Sequence, residues 1–142
     1  MNNLLENNPL FKECLEALNV PLLSDQEDKE IFELFETMYP LTDWGKVDWD
    51  KIDKKIEVGY YPKKVISALE KLFLQPFDKS VYLLWDDAEI PVIKANLDDV
   101  IKKFDDVTCI CFDTFIFNPK QGYIIERRHG GNITVGIVEI NN

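Results

Sequence analysis

Three cysteines, one histidine and 26 acidic residues are the groups of this 142-residue chain best able to do chemistry. Cys109 and Cys111 lie two apart, so a strand would place both thiols on one face. With Cys14 or His129 they could offer thiolate and imidazole ligands to a metal. A structural zinc site needs four such ligands, often in paired Cys-x-x-Cys spacing, and that pairing is absent. The expected role of these cysteines is that of small buried hydrophobes. Cys111, His129 and Asp113 would make a nucleophile set only if a strained turn presented the thiol, and both Cys111 and Asp113 read as mid-strand positions. His129-Gly130-Gly131-Asn132 reads as a hairpin turn in which both glycines supply positive φ. It precedes a strand and lacks the lysine of a phosphate-binding loop. Asp86 with Asp87, Asp98 with Asp99 and Asp105 with Asp106 sit at turns or helix ends, where capping explains them. Asp48-Trp49-Asp50-Lys51-Ile52-Asp53 comes nearest to a calcium loop but lacks its glycine and its glutamate. No catalytic set, metal or cofactor is expected.

Rings interleaved with acids are the stronger signal. Trp44 and Trp49 sit among Asp43, Asp48, Asp50 and Asp53, with Tyr39 just before them. Tyr60 and Tyr61 follow, and Trp85 abuts Asp86, Asp87 and Glu89. Core packing is the ordinary role of each ring. The alternative is a protein interface, with rings as desolvated anchors and carboxylates as steering charge. On that reading the contact set is Trp44, Asp48, Trp49, Asp50, Asp53, Asp86, Asp87 and Glu89.

Charge narrows the partner. The formal net charge is -10. Direct binding of nucleic acid needs clustered Lys and Arg, so it is not expected. Residues 24–57 hold 11 Asp and Glu against 5 Lys, a net of -6. Such a segment is either a solvated face or a recognition surface for a basic protein. Hydrophobic residues make up 46% of the chain, enough to build a core without disulfides. The odd cysteine count, and the lack of a basic start or a long apolar run, place the expected chain in a reducing cytoplasm, off the membrane.

The elements that must position these groups follow from periodicity. A helix is expected over 7–19, with Asn7 or Asn8 as cap, Pro9 in the first turn and Leu10, Cys14, Leu15 and Leu18 inward. A second starts at Ser24, paired with Glu27 as a capping box, carries Ile31, Leu34, Phe35 and Met38 as its stripe, and stops at Tyr39-Pro40. A short helix over 48–57 and a further one over 62–74 complete a helical part, residues 1–75. Residues 80–140 then form the sheet. Val81 to Trp85 is a strand. The run 90–94 is a return strand that Pro91 confines to an edge or a late start. Asn96 caps a short helix over 97–104. Residues 107–139 form a three-stranded meander rich in β-branched and aromatic residues. The fold class is α+β: a single domain with N-terminal helices packed on a C-terminal, mostly antiparallel five-stranded sheet.

Several stretches of the C-terminal half resemble a known family. They are Val81-Tyr-Leu-Leu-Trp85-Asp86, Ile90-Pro91-Val92-Ile93, Asp105-Asp106-Val107-Thr108-Cys-Ile-Cys-Phe-Asp113-Thr114, Gly122-Tyr-Ile-Ile-Glu126 and Gly131-Asn-Ile-Thr-Val-Gly136. Together they are similar to bacterial contact-dependent growth inhibition (CDI) immunity proteins over about residues 80–138; the first 75 residues carry no matching motif. The resemblance implies a small cytosolic protein that binds and neutralises the toxic C-terminal domain of a cognate secreted toxin, often a nuclease. A nuclease binds phosphates and tends to be basic, which suits an acidic one-to-one partner. Two other readings stand beside it. One is a non-enzymatic adaptor or regulatory domain holding a cellular protein or peptide at a sheet edge; the other is an enzyme with an unrecognised carboxylate site.

Overall fold

The computed structural model describes residues 4–140. Six α-helices and six strands make an α+β fold among the described residues. The helices are α1 (Leu4–Asn7), α2 (Pro9–Leu18), α3 (Asp25–Met38), α4 (Val65–Phe73), α5 (Leu97–Lys102) and α6 (Phe104–Thr108). The strands are β1 (Lys54–Gly59), β2 (Ser80–Trp85), β3 (Ile93–Asn96), β4 (Thr114–Asn118), β5 (Tyr123–Arg127) and β6 (Ile133–Ile137). They pair in the order β1-β6-β5-β4-β2-β3, and every pair is antiparallel.

The sheet has one strand more than expected, and it comes from the segment read as a helix over 48–57. Ile52 and Ile56 are four apart, a spacing that suits either a helical turn or two strand repeats. Pairing with β6 decides the matter. Trp49–Lys51 is a single 3-10 turn, and Lys54 then pairs with Ile137. Ile56 and Val58 alternate onto the core. Trp49 lies against Gly136, where an added Cβ would sit 2.7 Å from the ring. The helical part of the chain thus contributes an edge strand.

Both faces of the sheet are covered. Leu83, Trp85, Ile116, Tyr123, Ile125 and Val135 point to the face covered by α2, α4, α5 and α6. Leu84, Phe115, Phe117 and Ile124 point to the opposite face, under α3 and residues 41–52. Burial on two sides explains why β4 and β5 read as nearly unbroken apolar runs. Fully burying one such side chain contributes roughly 1.5–3 kcal/mol.

Local signals set most helix ends. Ser24 caps α3 by accepting the Glu27 N–H at 3.1 Å, and the chain leaves α3 at Tyr39 in an extended conformation. On α2 the buried stripe is Phe11, Cys14, Leu15 and Leu18; Leu10 faces solvent. On α3 only Phe35 is fully buried, and Leu34 is exposed. Phe35 meets Phe115, Phe117 and Tyr39 with ring centroids 5.1–5.5 Å apart. A 3-10 turn, Pro62–Lys64, precedes α4. Pro91 falls before β3, which starts late and lies at the edge.

The meander begins later than expected, at Thr114. Residues 107–108 end α6, and 109–113 form a loop. The Trp85 indole N–H donates to the Val107 carbonyl at 2.9 Å, and Thr108 Oγ1 donates to the Phe104 carbonyl at 2.8 Å. These contacts fix the helix end against the local β preference. In the 128–132 turn only Gly131 has positive φ, at 97°.

Candidate functional site

The register gathers several loops at one end of the sheet. Trp85 pairs with Thr114, Thr114 with Arg127, and Arg127 with Ile133, which also pairs with Gly59. Residues 60–61, 86–92, 109–113 and 128–132 therefore all emerge there. Asp113 and Glu126, two buried carboxylates, tie these loops together. Asp113 Oδ2 accepts from Lys46 Nζ at 2.7 Å, and its Oδ1 accepts from the His129 N–H at 3.0 Å. Its own N–H donates to Asp86 Oδ1 at 3.2 Å. Glu126 accepts from the Trp49 indole at 2.7 Å and from the Val47 N–H at 3.2 Å, and it forms an ion pair with Arg128, Nε lying 3.2 Å from Oε1. The Lys46 link brings the 42–46 loop to the same end. The hydrogen bond that Lys46 donates to Asp113 is the main reason its ammonium titrates above its ordinary value.

Rings remain outside this scaffold. Trp44 is 88% exposed and Phe112 is 73% exposed, and Tyr60 and Tyr61 are also exposed. The Phe112 ring meets His129 edge-on, with centroids 5.8 Å apart. Between the 86–88 turn and the 109–112 loop runs a groove of about 600 Å³, lined by Asp86, Asp87, Ala88, Cys109, Ile110, Cys111 and Phe112. A second groove of about 360 Å³ lies on the other side of Ala88. It is lined by Asp28, Lys29, Phe32, Glu33 and Glu36 of α3, with Ile90. The 86–90 turn is thus a ridge between two acidic grooves. Asp86, Asp87 and Glu89 are exposed on it, and among the described residues none of them is in a salt bridge.

The eight residues singled out from the sequence divide. Trp44, Asp86, Asp87 and Glu89 share this end. Trp49 is 8% exposed and supports it from within, so as a surface anchor it is corrected to a buried brace. Asp48 is half-buried and lies 3.8 Å from Lys51. Asp50 and Asp53 are exposed but precede Lys54, which pairs with Ile137 at the sheet's other end. Trp85, whose acids were read with it, is buried at 2%.

The cysteines also depart from expectation. Cys14 is buried, but Cys109 is exposed and Cys111 is half-buried, both on the 109–113 loop. Burial, then Asp86 and Asp87, push the Cys111 thiol up to about 11, which disfavours a nucleophilic thiolate. Among the described residues no hydrogen bond joins Cys111 to His129, and no group of three or more His, Cys, Asp or Glu is arranged to hold a metal ion. Among the described residues no helix is long and apolar enough to cross a membrane.

Sequence reasoning weighed Asp113 only as part of a nucleophile set and passed over Phe112 and Glu126 as functional residues. Asp113 and Glu126 did carry a signal. A carboxylate set within an apolar strand run, as in Tyr123-Ile-Ile-Glu126 or Asp113-Thr-Phe-Ile-Phe, needs buried partners. Phe112 carried none, because its neighbours read as strand.

The comparisons with known proteins fit this picture. No curated protein matches the chain. Residues 8–136 match the family described as CdiI immunity protein, EcoliA0-like, including the first 75 residues that carried no recognisable motif apart from the first few. With nearly its whole length covered, and with the sheet that carried the resemblance in place, the chain belongs to the CdiI immunity protein family.

Proposed function

We propose that this protein neutralises the toxic C-terminal domain of a cognate CDI toxin by binding it one-to-one in the cytoplasm, as a single domain. The toxin domain is a basic, nuclease-type protein. The inhibitor works by occupancy and transforms nothing itself. Membership of the family supports the toxin-neutralising role. The observation that carries the mode of binding is the 86–90 ridge, with three exposed carboxylates that form no salt bridge among the described residues. Acids of this kind steer a basic partner and can stand where its phosphates would bind. Contact centres on Trp44, Asp86, Asp87 and Glu89; Asp48, Asp50 and Asp53 add to the field from further off.

The test uses the C-terminal domain of the cognate CDI toxin. Purified together, the two should form a one-to-one complex that abolishes nuclease activity. Association should slow roughly tenfold or more as salt is raised, because screening weakens steering. Reversing Asp86 and Asp87 to lysine should slow association more than reversing Asp50 and Asp53. Absence of a complex, or full nuclease activity within it, would sink the reading.

A further inference from the structure

The two walls of the 600 Å³ groove differ in chemistry. One wall carries Asp86 and Asp87. The other carries Ile110, Cys111 and the ring of Phe112. The Asp86 and Asp87 carboxylates are already oriented: Asp86 Oδ1 accepts the Asp113 N–H, and Asp87 Oδ1 accepts the Glu89 N–H at 2.9 Å. Each leaves its other oxygen without a protein donor among the described residues. The Phe112 and His129 rings meet at a steep angle, and Phe112 is largely open to solvent. An exposed phenylalanine on a loop pinned by a buried carboxylate is a prepared surface, because little ordering remains to be done on contact.

We propose that this groove receives an arginine side chain of the cognate toxin domain, its guanidinium stacked on Phe112 and hydrogen-bonded to Asp86 and Asp87. This rests on the immunity reading above and names the contact that would anchor it. Arginine fits both walls at once. Its flat cation packs on a ring face, and its forked donors match the free carboxylate oxygens. A lysine would satisfy the acids but not the stack. Burial, and after it the charges of Asp86 and Asp87, push the neighbouring Cys111 thiol up. The groove is separate from Asp50 and Asp53, which lie toward the other end of β1.

The experiment measures affinity for the purified, catalytically inactivated toxin domain by calorimetry. Three variants are compared with the wild-type chain. Phe112→Ala removes the stack. Asp86→Asn with Asp87→Asn removes the charge but keeps the internal hydrogen-bond acceptors. Glu70→Gln with Glu139→Gln, two exposed acids toward the other end of the sheet, is the control. The first two should each weaken binding fivefold or more, and the Asp-to-Asn pair should also flatten the salt dependence. The control should stay within about twofold. Urea unfolding should show unchanged stability for all three, since every altered side chain is exposed. A weakening of less than fivefold in either groove variant, with wild-type binding intact, overturns the arginine site and leaves the immunity reading standing. Failure of the wild-type chain to bind overturns the immunity reading itself.

Discussion

The two ends of the sheet are built from similar parts and finished differently. At the far end, where Ser80, Asn118, Tyr123 and Ile137 lie, polar side chains close on their own backbone. Asn118 Nδ2 donates to Asp78 Oδ2 and to the Ser80 carbonyl, and its Oδ1 accepts the Gln121 N–H. Tyr123 O–H donates to the Asp78 carbonyl. Phe73, Phe77 and Tyr123 pack on one another with centroids 5.4–5.8 Å apart. At the near end Asp113 and Glu126 play the part of Asn118, but the loops they hold leave Trp44, Tyr60, Tyr61 and Phe112 outside. One end spends its rings on closure, and the other displays them. The difference separates groups that hold the fold from groups available to a partner.

Substitutions can break or sharpen that contrast. Glu126→Ala should do the most damage. It strands the buried Trp49 and Val47 donors, and the expected loss is about 3 kcal/mol in urea unfolding. Binding should weaken as well, because the 42–49 segment loses its brace. Asn118→Ala removes three hydrogen bonds at the far end and should cost about 2 kcal/mol. Affinity for the toxin domain measured on the folded protein should not change; a loss there would mean that the far end also meets the partner. Asp113→Asn keeps the His129 contact and loses the ion pair to Lys46, which is half-exposed, so about 1 kcal/mol is expected. Its larger effect should be faster dissociation of the complex. Trp44→Ala should leave stability within about 0.5 kcal/mol and reduce affinity.

The smallest effects are in pH. Lys46 titrates above its ordinary value. Its contribution is complete below the usual lysine pKa and is lost as pH rises through the raised one, so the near end should loosen only in strong alkali. Asp78 titrates below its ordinary value, chiefly through the Asn118 side chain and then the Ser80 N–H. Its contribution is complete above the usual carboxylate range and disappears as pH falls through the lowered value. NMR of the His129 amide and of the Asn118 side chain across both ranges would report each end separately.

Local rules made much of the fold legible. Ser24 with Glu27, Pro40 after Tyr39, and Pro91 before β3 each act within a few residues, and each is where the sequence puts it. What escaped was decided at long range. Residues 54–59 became a strand because β6 offers an unpaired edge and Gly136 makes room for Trp49. Residues 107–113 have strand-forming side chains but are held as helix end and loop by the Trp85 indole on Val107 and by the contacts of Asp113 with Asp86, Lys46 and His129, all distant in the chain. The site was half legible for the same reason. Asp86, Asp87 and Trp44 carry a compositional signal, whereas the proximity of Phe112 to the two acids depends on which strands neighbour each other.

A sheet sandwiched on both sides has no broad flank to give away, and this has a consequence for how the protein can change. The residues at positions 44, 86, 87 and 112 are all exposed, so altering them disturbs almost none of the packing beneath. On the proposed mode of binding, recognition is decoupled from stability. Rewriting a handful of rim residues would then retarget the same architecture to a different toxin, while the interior remains as it is.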